Sequence, residues 1–285
     1  MLLVSPKKAY ATKRLQEEAA ALGIGLASTE IGELRRRNFQ VDPADFDALY
    51  LRQAYTEFRQ VVPESELEEI IGFAKKFKDA GKVVVDDSIA SGDLGQGKYE
   101  ALVRLQQEGA MVPKTVLLKD VPSEKISYPI IAKWNYGFGA KHAYLLKTAD
   151  DLAKVAKKYS PDQILLQEFI PAGCEYKIIT VGYRSLPVII KVKTARGKFL
   201  PDLDNYEILS AAAAPEAVKL AETGAKVLKR ELAKADILEA NGRLYLLEVN
   251  RWPGLQYFEK AAKFNVAAEF LRYLSEACKK AGFPL

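Results

Sequence analysis

The 285-residue sequence predicts a mixed α/β and α+β protein, with a small open α/β domain followed by two α+β lobes. Two observations carry this. Residues 1–90 alternate short strands with helices, the pattern of a small open α/β domain. Residues 236–250 hold two apolar runs around Asn241-Gly242, a pair favoured in tight hairpin turns, which marks antiparallel pairing in the second half. The expected divisions are 1–95 for the first domain and 96–285 for the second, with lobes over approximately 96–168 and 169–285.

In chain order, Leu2–Val4 reads as a strand and Ala11–Leu22 as a helix rich in Ala, Glu and Leu. Ala48–Leu51 is a second strand, Glu64–Ala80 an amphipathic helix and Val83–Val85 a third strand. Residues 91–97, Ser-Gly-Asp-Leu-Gly-Gln-Gly, form a linker, and Lys98–Glu108 is helical. Residues 115–119, 129–133, 143–147 and 164–168 are strands, with a helix at Ala149–Lys158 before the last. Two more strands fall within 176–193, and Ala214–Ala233 and Ala261–Lys280 read as long helices.

Composition narrows the function. The net charge of +5 is mild and suits an anionic ligand, without the basic blocks of a nucleic-acid binder. No apolar run approaches the roughly 20 residues that span a bilayer. The N-terminus turns polar too soon for a secretory signal. Cys174 and Cys278 give neither zinc spacing nor a disulfide framework, so a reducing cytoplasm is expected. His142 is the only histidine, which excludes His-rich metal sites.

The richest stretch is Asp236–Asn250, followed by Arg251-Trp252-Pro253-Gly254. Glu248 and Asn250 are two apart, so on a strand they share a face, and Leu244 and Leu246 are expected there too. A buried carboxylate needs a partner, and a hard cation such as Mg²⁺ takes oxygen ligands. Asp236 joins this face only if the hairpin loop has three residues or a strand carries a bulge. The competing reading is an edge hairpin with solvated acids. A second motif, Gly92–Tyr99, nearly spells a phosphate-binding P-loop. Tyr99 replaces the required Ser/Thr, however, and the preceding strand ends too early, at Val85.

The run ADILEANGRLYLLEVNRWPGL resembles the metal-binding strands of ATP-grasp ligases, most closely the RimK-type branch. That resemblance implies an ATP-grasp fold, two α+β lobes clasping ATP behind a pre-ATP-grasp domain. It places Asp236, Glu248 and Asn250 on the metal-ligand positions. Lys98 matches a lysine that opens a helix and reaches the nucleotide phosphates. Ile130–His142 resembles the glycine-bearing lid, with Lys133 beside the phosphates and Gly137 and Gly139 in the loop. Leu165–Glu175 resembles the adenine hinge: Gln167, Glu168 and Phe169 contact the base region and Glu175 the ribose. Lys191, with Arg196 following, occupies the place of a basic group that stabilises charge on the acyl phosphate and its tetrahedral adduct. Arg52 resembles an arginine facing the acceptor.

Residues 200–207, Leu-Pro-Asp-Leu-Asp-Asn-Tyr-Glu, depart from the family, which carries basic residues there. Asp204 therefore suits an ammonium group, and Asp202 an amine or a metal. Thr194–Glu207 is expected to line the acceptor pocket. The implied activity is ATP-dependent carboxylate–amine ligation through an acyl phosphate, releasing ADP and phosphate. The alternatives are an ATP-grasp phosphotransferase and a non-catalytic nucleotide-binding module. The implied cofactors are ATP and Mg²⁺ or Mn²⁺. The implied partners are small-molecule or peptide carboxylates and amines, with no membrane and no nucleic acid, and homo-oligomerisation left open.

Overall fold

The computed structural model describes residues 1–52, 64–93, 97–137, 142–194, 200 and 202–283. Among them, β1 (Leu2–Val4), β2 (Ala27–Thr29), β3 (Ala48–Leu51) and β4 (Val83–Val85) form a parallel sheet in the order β2-β1-β3-β4. The runs Leu-Leu-Val, Ala-Leu-Tyr-Leu and Val-Val-Val have no polar alternation because helices cover both faces. Leu2, Val4, Leu49 and Leu51 pack with α3 (Glu64–Asp79), whose Ile70, Phe73, Ala74 and Phe77 recur at helical spacing. Leu3, Ala48 and Tyr50 face the other way, toward α1 (Tyr10–Ala21). The short α2 (Ile31–Arg36) and β2 carry no strong periodicity and were not legible in the sequence.

After α4 (Lys98–Gln107), an antiparallel sheet has the order β5-β8-β6-β7. It comprises β5 (Thr115–Leu117), β6 (Ile130–Trp134), β7 (Ala143–Leu146) and β8 (Ile164–Glu168), with α5 (Ala149–Ala156) between the last two. A larger sheet follows in the order β12-β11-β9-β13-β14. Its strands are β9 (Cys174–Val181), β11 (Val188–Lys193), β12 (Tyr206–Ser210), β13 (Leu232–Ala240) and β14 (Arg243–Asn250), and the short β10 (Arg184–Ser185) pairs with β9. Its helices are α6 (Pro215–Val227), α7 (Leu255–Ala262) and α8 (Val266–Lys280). One face packs on α6, where a Cβ on Gly224 would lie 2.9 Å from both Leu246 and Val249. On the other face, Ile190 and Val192 share a core with Leu3, Tyr50 and the α8 residues Phe270 and Leu274. No described helix is long and apolar enough to cross a membrane.

Two helix expectations need correction. The helix expected over Ala214–Ala233 stops at Val227: Lys229 turns left-handed (φ 50°), and Leu232 already pairs with Val181 of β9. Sheet pairing there overrides the helix propensity of the Ala- and Leu-rich sequence. The helix expected over Ala261–Lys280 is two, broken at Lys263 (φ 52°), with the Asn265 side chain accepting from the Ala268 amide at 3.0 Å.

The hairpin turn has two residues, Asn241 (φ 50°) and Gly242 (φ 71°). A bulge nevertheless falls within it: Asp236 pairs with Glu248 but Ile237 pairs with Leu246, leaving Leu247 as the extra residue. The bulge condition for Asp236 is therefore met. The same bulge corrects the placing of Leu244 and Leu246. One added residue switches the face, so both lie on the α6 side, opposite to Glu248.

Candidate active site

A cleft of about 380 Å³ is lined by both antiparallel sheets. Its floor is one face of β9, β13 and β14, where Glu175 and Lys177, Lys234 and Asp236, and Glu248 all project. Period-two alternation puts each pair on one side, and antiparallel pairing places Lys177 beside Asp236 and Asp236 beside Glu248.

The floor is an alternating charge network. Lys177 binds Glu175 and lies 3.4 Å from Asp236 Oδ1, while Lys234 Nζ lies 2.9 Å from Asp236 Oδ2. Lys98, the first residue of α4, reaches Glu248 at 2.7 Å. The Asn250 amide donates to Glu248 Oε1 at 2.8 Å and to Asp236 Oδ2 at 3.4 Å. Burial works against the Glu248 carboxylate, but Lys98, Lys234 and Lys133 outweigh it and hold its pKa well below the carboxylate range. Burial raises the Glu175 pKa, and the Asp236 charge raises it further. Burial disfavours the Lys177 ammonium, yet Asp236 and Glu175 more than offset this and raise its pKa.

Asp236, Glu248 and Asn250 converge from two adjacent strands and offer only oxygen ligands to a cation, once the Asn250 amide turns its oxygen inward. Such a set fits a hard divalent ion. Among the described residues, no group of three or more His, Cys, Asp or Glu side chains is gathered for a metal, so a third ligand must come from the amide.

On the opposite wall, Lys133 of β6 donates to Gln167 Oε1 at 2.7 Å, and burial lowers its pKa to about 8. Gly137, Glu168 and Phe169 also line the cleft. The Glu168 amide is taken up by the Lys114 carbonyl at 2.8 Å. Gly97 permits the entry to α4, since a Cβ there would lie 3.0 Å from the Asn135 amide and closer still to Glu100. The P-loop alternative gains nothing from the described residues: β4 ends at Val85, a short helical turn, Asp87–Ser91, separates it from Gly92–Tyr99, and residues 94–96 of that motif lie outside the described residues.

Residues 96–274 match the family model of the RimK-like ATP-grasp domain. The chain belongs to that family, whose activity is ATP-dependent ligation of a carboxylate to an amine. A relative is the ribosomal protein bS6–L-glutamate ligase of Escherichia coli O7:K1, 25% identical, with 96% of each chain covered. Among solved structures, the ATP-grasp ligase PsnB complexed with a phosphomimetic variant of minimal precursor, Mg and ADP superposes with a TM-score of 0.74 at 15% identity, covering 97% of this chain and 98% of that one. The D-alanine–D-alanine ligase of Bacillus anthracis gives 0.64 at 15% identity, covering 98% and 96%.

In this RimK-like chain, several anticipated residues lie elsewhere. Lys191 is on the far side of the sheet, 3.3 Å from Glu239 and over the Tyr176 ring, because it pairs with Tyr176 and so shares that residue's face. It is not in the cleft. Arg52 is buried, donates to the Pro253 carbonyl at 3.2 Å and does not line the cleft. Asp204 is exposed, its amide donating to Asp202 Oδ1, while the neighbouring Leu203 lines the cleft. Arg196 and Gly139 lie outside the described residues, as do residues 195–199 and 201 of the anticipated acceptor loop. Sequence reasoning missed Lys177 and Lys234. Each sits two residues from an anticipated acid, Glu175 and Asp236, and the same alternation that paired Glu248 with Asn250 predicts both.

Proposed function

We propose that the cleft holds MgATP and a substrate carboxylate and makes an amide through an acyl phosphate. The observation that carries this is the pairing of Asp236 with Glu248 across the bulge, inside a ring of lysines. Asp236, Glu248 and Asn250 would hold Mg²⁺, with Mn²⁺ as a substitute. An ion held there would supply charge neutralisation at the phosphates. Lys98 and Lys133 take the phosphates, and Phe169 and the hinge backbone take adenine. Glu175 faces the ribose. Lys177 replaces Lys191 as the cation that offsets charge on the reacting carboxylate, because it is the buried lysine on the cleft side of β9. Lys234, 2.9 Å from Asp236, holds that carboxylate aligned until nucleotide arrives.

In the first step a carboxylate oxygen attacks the γ-phosphorus and ADP leaves. In the second an amine nitrogen attacks the acyl carbon, phosphate leaves and the nitrogen gives up a proton. The chain's contribution is placement and charge compensation, with no protein nucleophile. The bS6 ligase and PsnB are named for protein and precursor substrates, which supports a peptide or protein as one reactant here. Asp204, beside the cleft-lining Leu203, is suited to an ammonium on the acceptor. Residues 1–95 serve as the pre-ATP-grasp unit and 96–285 as the ATP-grasp unit in this reading.

The decisive assay screens carboxylate–amine pairs for ADP and phosphate release. Release that needs both reactants is expected, and hydroxylamine should trap the acyl phosphate as a hydroxamate. A stable phosphorylated product formed without amine would overturn the ligation step.

The phosphate role of Lys133 gives a separate expectation. Lys133→Ala should weaken MgATP by about tenfold or more while leaving adenosine within about twofold, since the lost ammonium meets phosphate alone. Because burial brings the Lys133 pKa down to about 8, its positive charge is lost as pH rises through that value. Wild-type affinity for MgATP should therefore fall above pH 8, and titration calorimetry should show this step missing in the alanine variant.

A further inference from the structure

The end of β14 is gripped by the N-terminal sheet. Arg251 directly follows Asn250 and is buried, with its Nε 3.0 Å from Asp86 Oδ2. Asp86 follows the last residue of β4 and is itself 3% exposed. Its other oxygen accepts the Glu231 amide at 2.6 Å, just before β13 begins. One carboxylate thus holds the start of β13 and the end of β14, the two strands that carry Asp236, Glu248 and Asn250. The Arg251 fork also donates to the Ser88 hydroxyl at 3.2 Å and the Asp93 carbonyl at 3.1 Å. The Asp93 carboxylate in turn accepts from Arg104 of α4 at 2.7 Å, and α4 is the helix that Lys98 opens.

Two further contacts reinforce the junction. Trp252 packs against both cores that flank the parallel sheet. Arg52, at the end of β3, donates to the Pro253 carbonyl at 3.2 Å. Arg251, Trp252 and Pro253 therefore each dock on the C-terminal edge of the parallel sheet.

We propose that Asp86 and Arg251 are positioning residues for the metal strands: the first 86 residues hold Asn250 and Glu248 in register with Asp236 and with Lys98. This rests on the reading that those three residues bind the divalent ion. Neither Asp86 nor Arg251 lines the cleft, so neither meets nucleotide or substrate directly. Their effect passes through strand geometry, as outer partners orient the ligands of a metal site.

Two variants separate positioning from folding. Arg251→Lys keeps the charge facing Asp86 but loses the fork to Ser88 and Asp93. The double variant D86N/R251M removes both buried charges together, which avoids leaving one unpaired and is compatible with a stable fold. Calorimetry on each, with ADP alone and with ADP plus Mg²⁺, reads the metal-dependent part of binding without turnover. Arg251→Lys is expected to weaken MgADP by about tenfold and to change ADP without metal by less than about twofold. The double variant should do the same at near wild-type thermal stability. Hydrogen exchange in the ligand-free protein should show faster amide exchange at residues 248–250 in both. If wild type itself shows no gain from Mg²⁺, the metal reading fails. If wild type gains and both variants gain equally, with unchanged exchange at 248–250, the positioning role is wrong. If Arg251→Lys and the double variant both lose cooperative unfolding, the pair holds the fold and not the site, and the proposal is overturned as well.

Discussion

Glu248→Gln is expected to lower kcat by on the order of a hundredfold or more, about 2.7 kcal/mol of barrier. Glutamine keeps the shape and the bond from Asn250 but removes the anion that a divalent ion and Lys98 both need. The fold should survive, because Lys98 and Glu248 are 22% and 28% exposed and the freed ammonium can hydrate. The thermal midpoint should stay within a few degrees of wild type. Surrounding lysines keep Glu248 ionised well below neutrality, so it has no proton to exchange in the working range. The Glu248 charge also helps hold the Lys133 ammonium, so the variant defect is expected to be steady at mildly acidic pH and to deepen as pH rises toward 8, where Lys133 loses its proton. Wild-type turnover in Glu248→Gln would remove the metal site from this account.

Lys177→Met should be more damaging still, because it strikes fold and chemistry together. It leaves Glu175 and Asp236 buried near each other without their shared cation, with only Lys234 still paired to Asp236. Removing one partner of a buried ionic cluster costs about 3–5 kcal/mol of stability. The pH dependence has a definite sign. The Lys177 pKa is raised above its unfolded value, so its stabilisation is complete at neutral pH and is lost only as pH climbs through the folded value. In the variant only Lys234 still tempers the repulsion between the acids, and protonation of Glu175, whose pKa burial already raises, removes what remains. The stability gap between wild type and Lys177→Met should therefore narrow as pH falls. Mg²⁺ with ADP should raise the variant's thermal midpoint more than the wild type's, since the ion supplies some of the missing charge. Chemical denaturation at several pH values checks the first expectation and thermal scans the second. A gap that widens on acidification would show that Lys177 does not serve as the shared counter-ion.

Local rules made much of the site readable. Two-residue alternation placed Glu248 beside Asn250, and the Asn-Gly pair marked the hairpin, because both depend on backbone geometry within a few residues. The alternation of strand and helix in the first 90 residues announced an open α/β domain. Helix ends were less secure: the breaks at Lys229 and Lys263 are left-handed lysines, which give no glycine signal.

Family resemblance singled out Asp236, Glu248 and Asn250, which the structure brings together, yet it misjudged which lysine enters the cleft. Lys191 and Lys177 both stand on strands of the same sheet, and each strand's pattern is locally sensible. Which face turns toward the cleft depends on how β11 registers against β9, a pairing between separate segments that no local spacing encodes. The sequence alone determined most of the elements, the hairpin and the chemistry of its acids, because propensity and period act over a few residues. Tertiary structure decided the rest. The bulge at Leu247 aligned Asp236 with Glu248, sheet register put Lys177 inside and Lys191 outside, and the junction with the N-terminal sheet buried Arg52 and paired Arg251 with Asp86. Those contacts join residues up to some 200 positions apart, and only burial in a shared core makes an unpaired charge costly enough to select them.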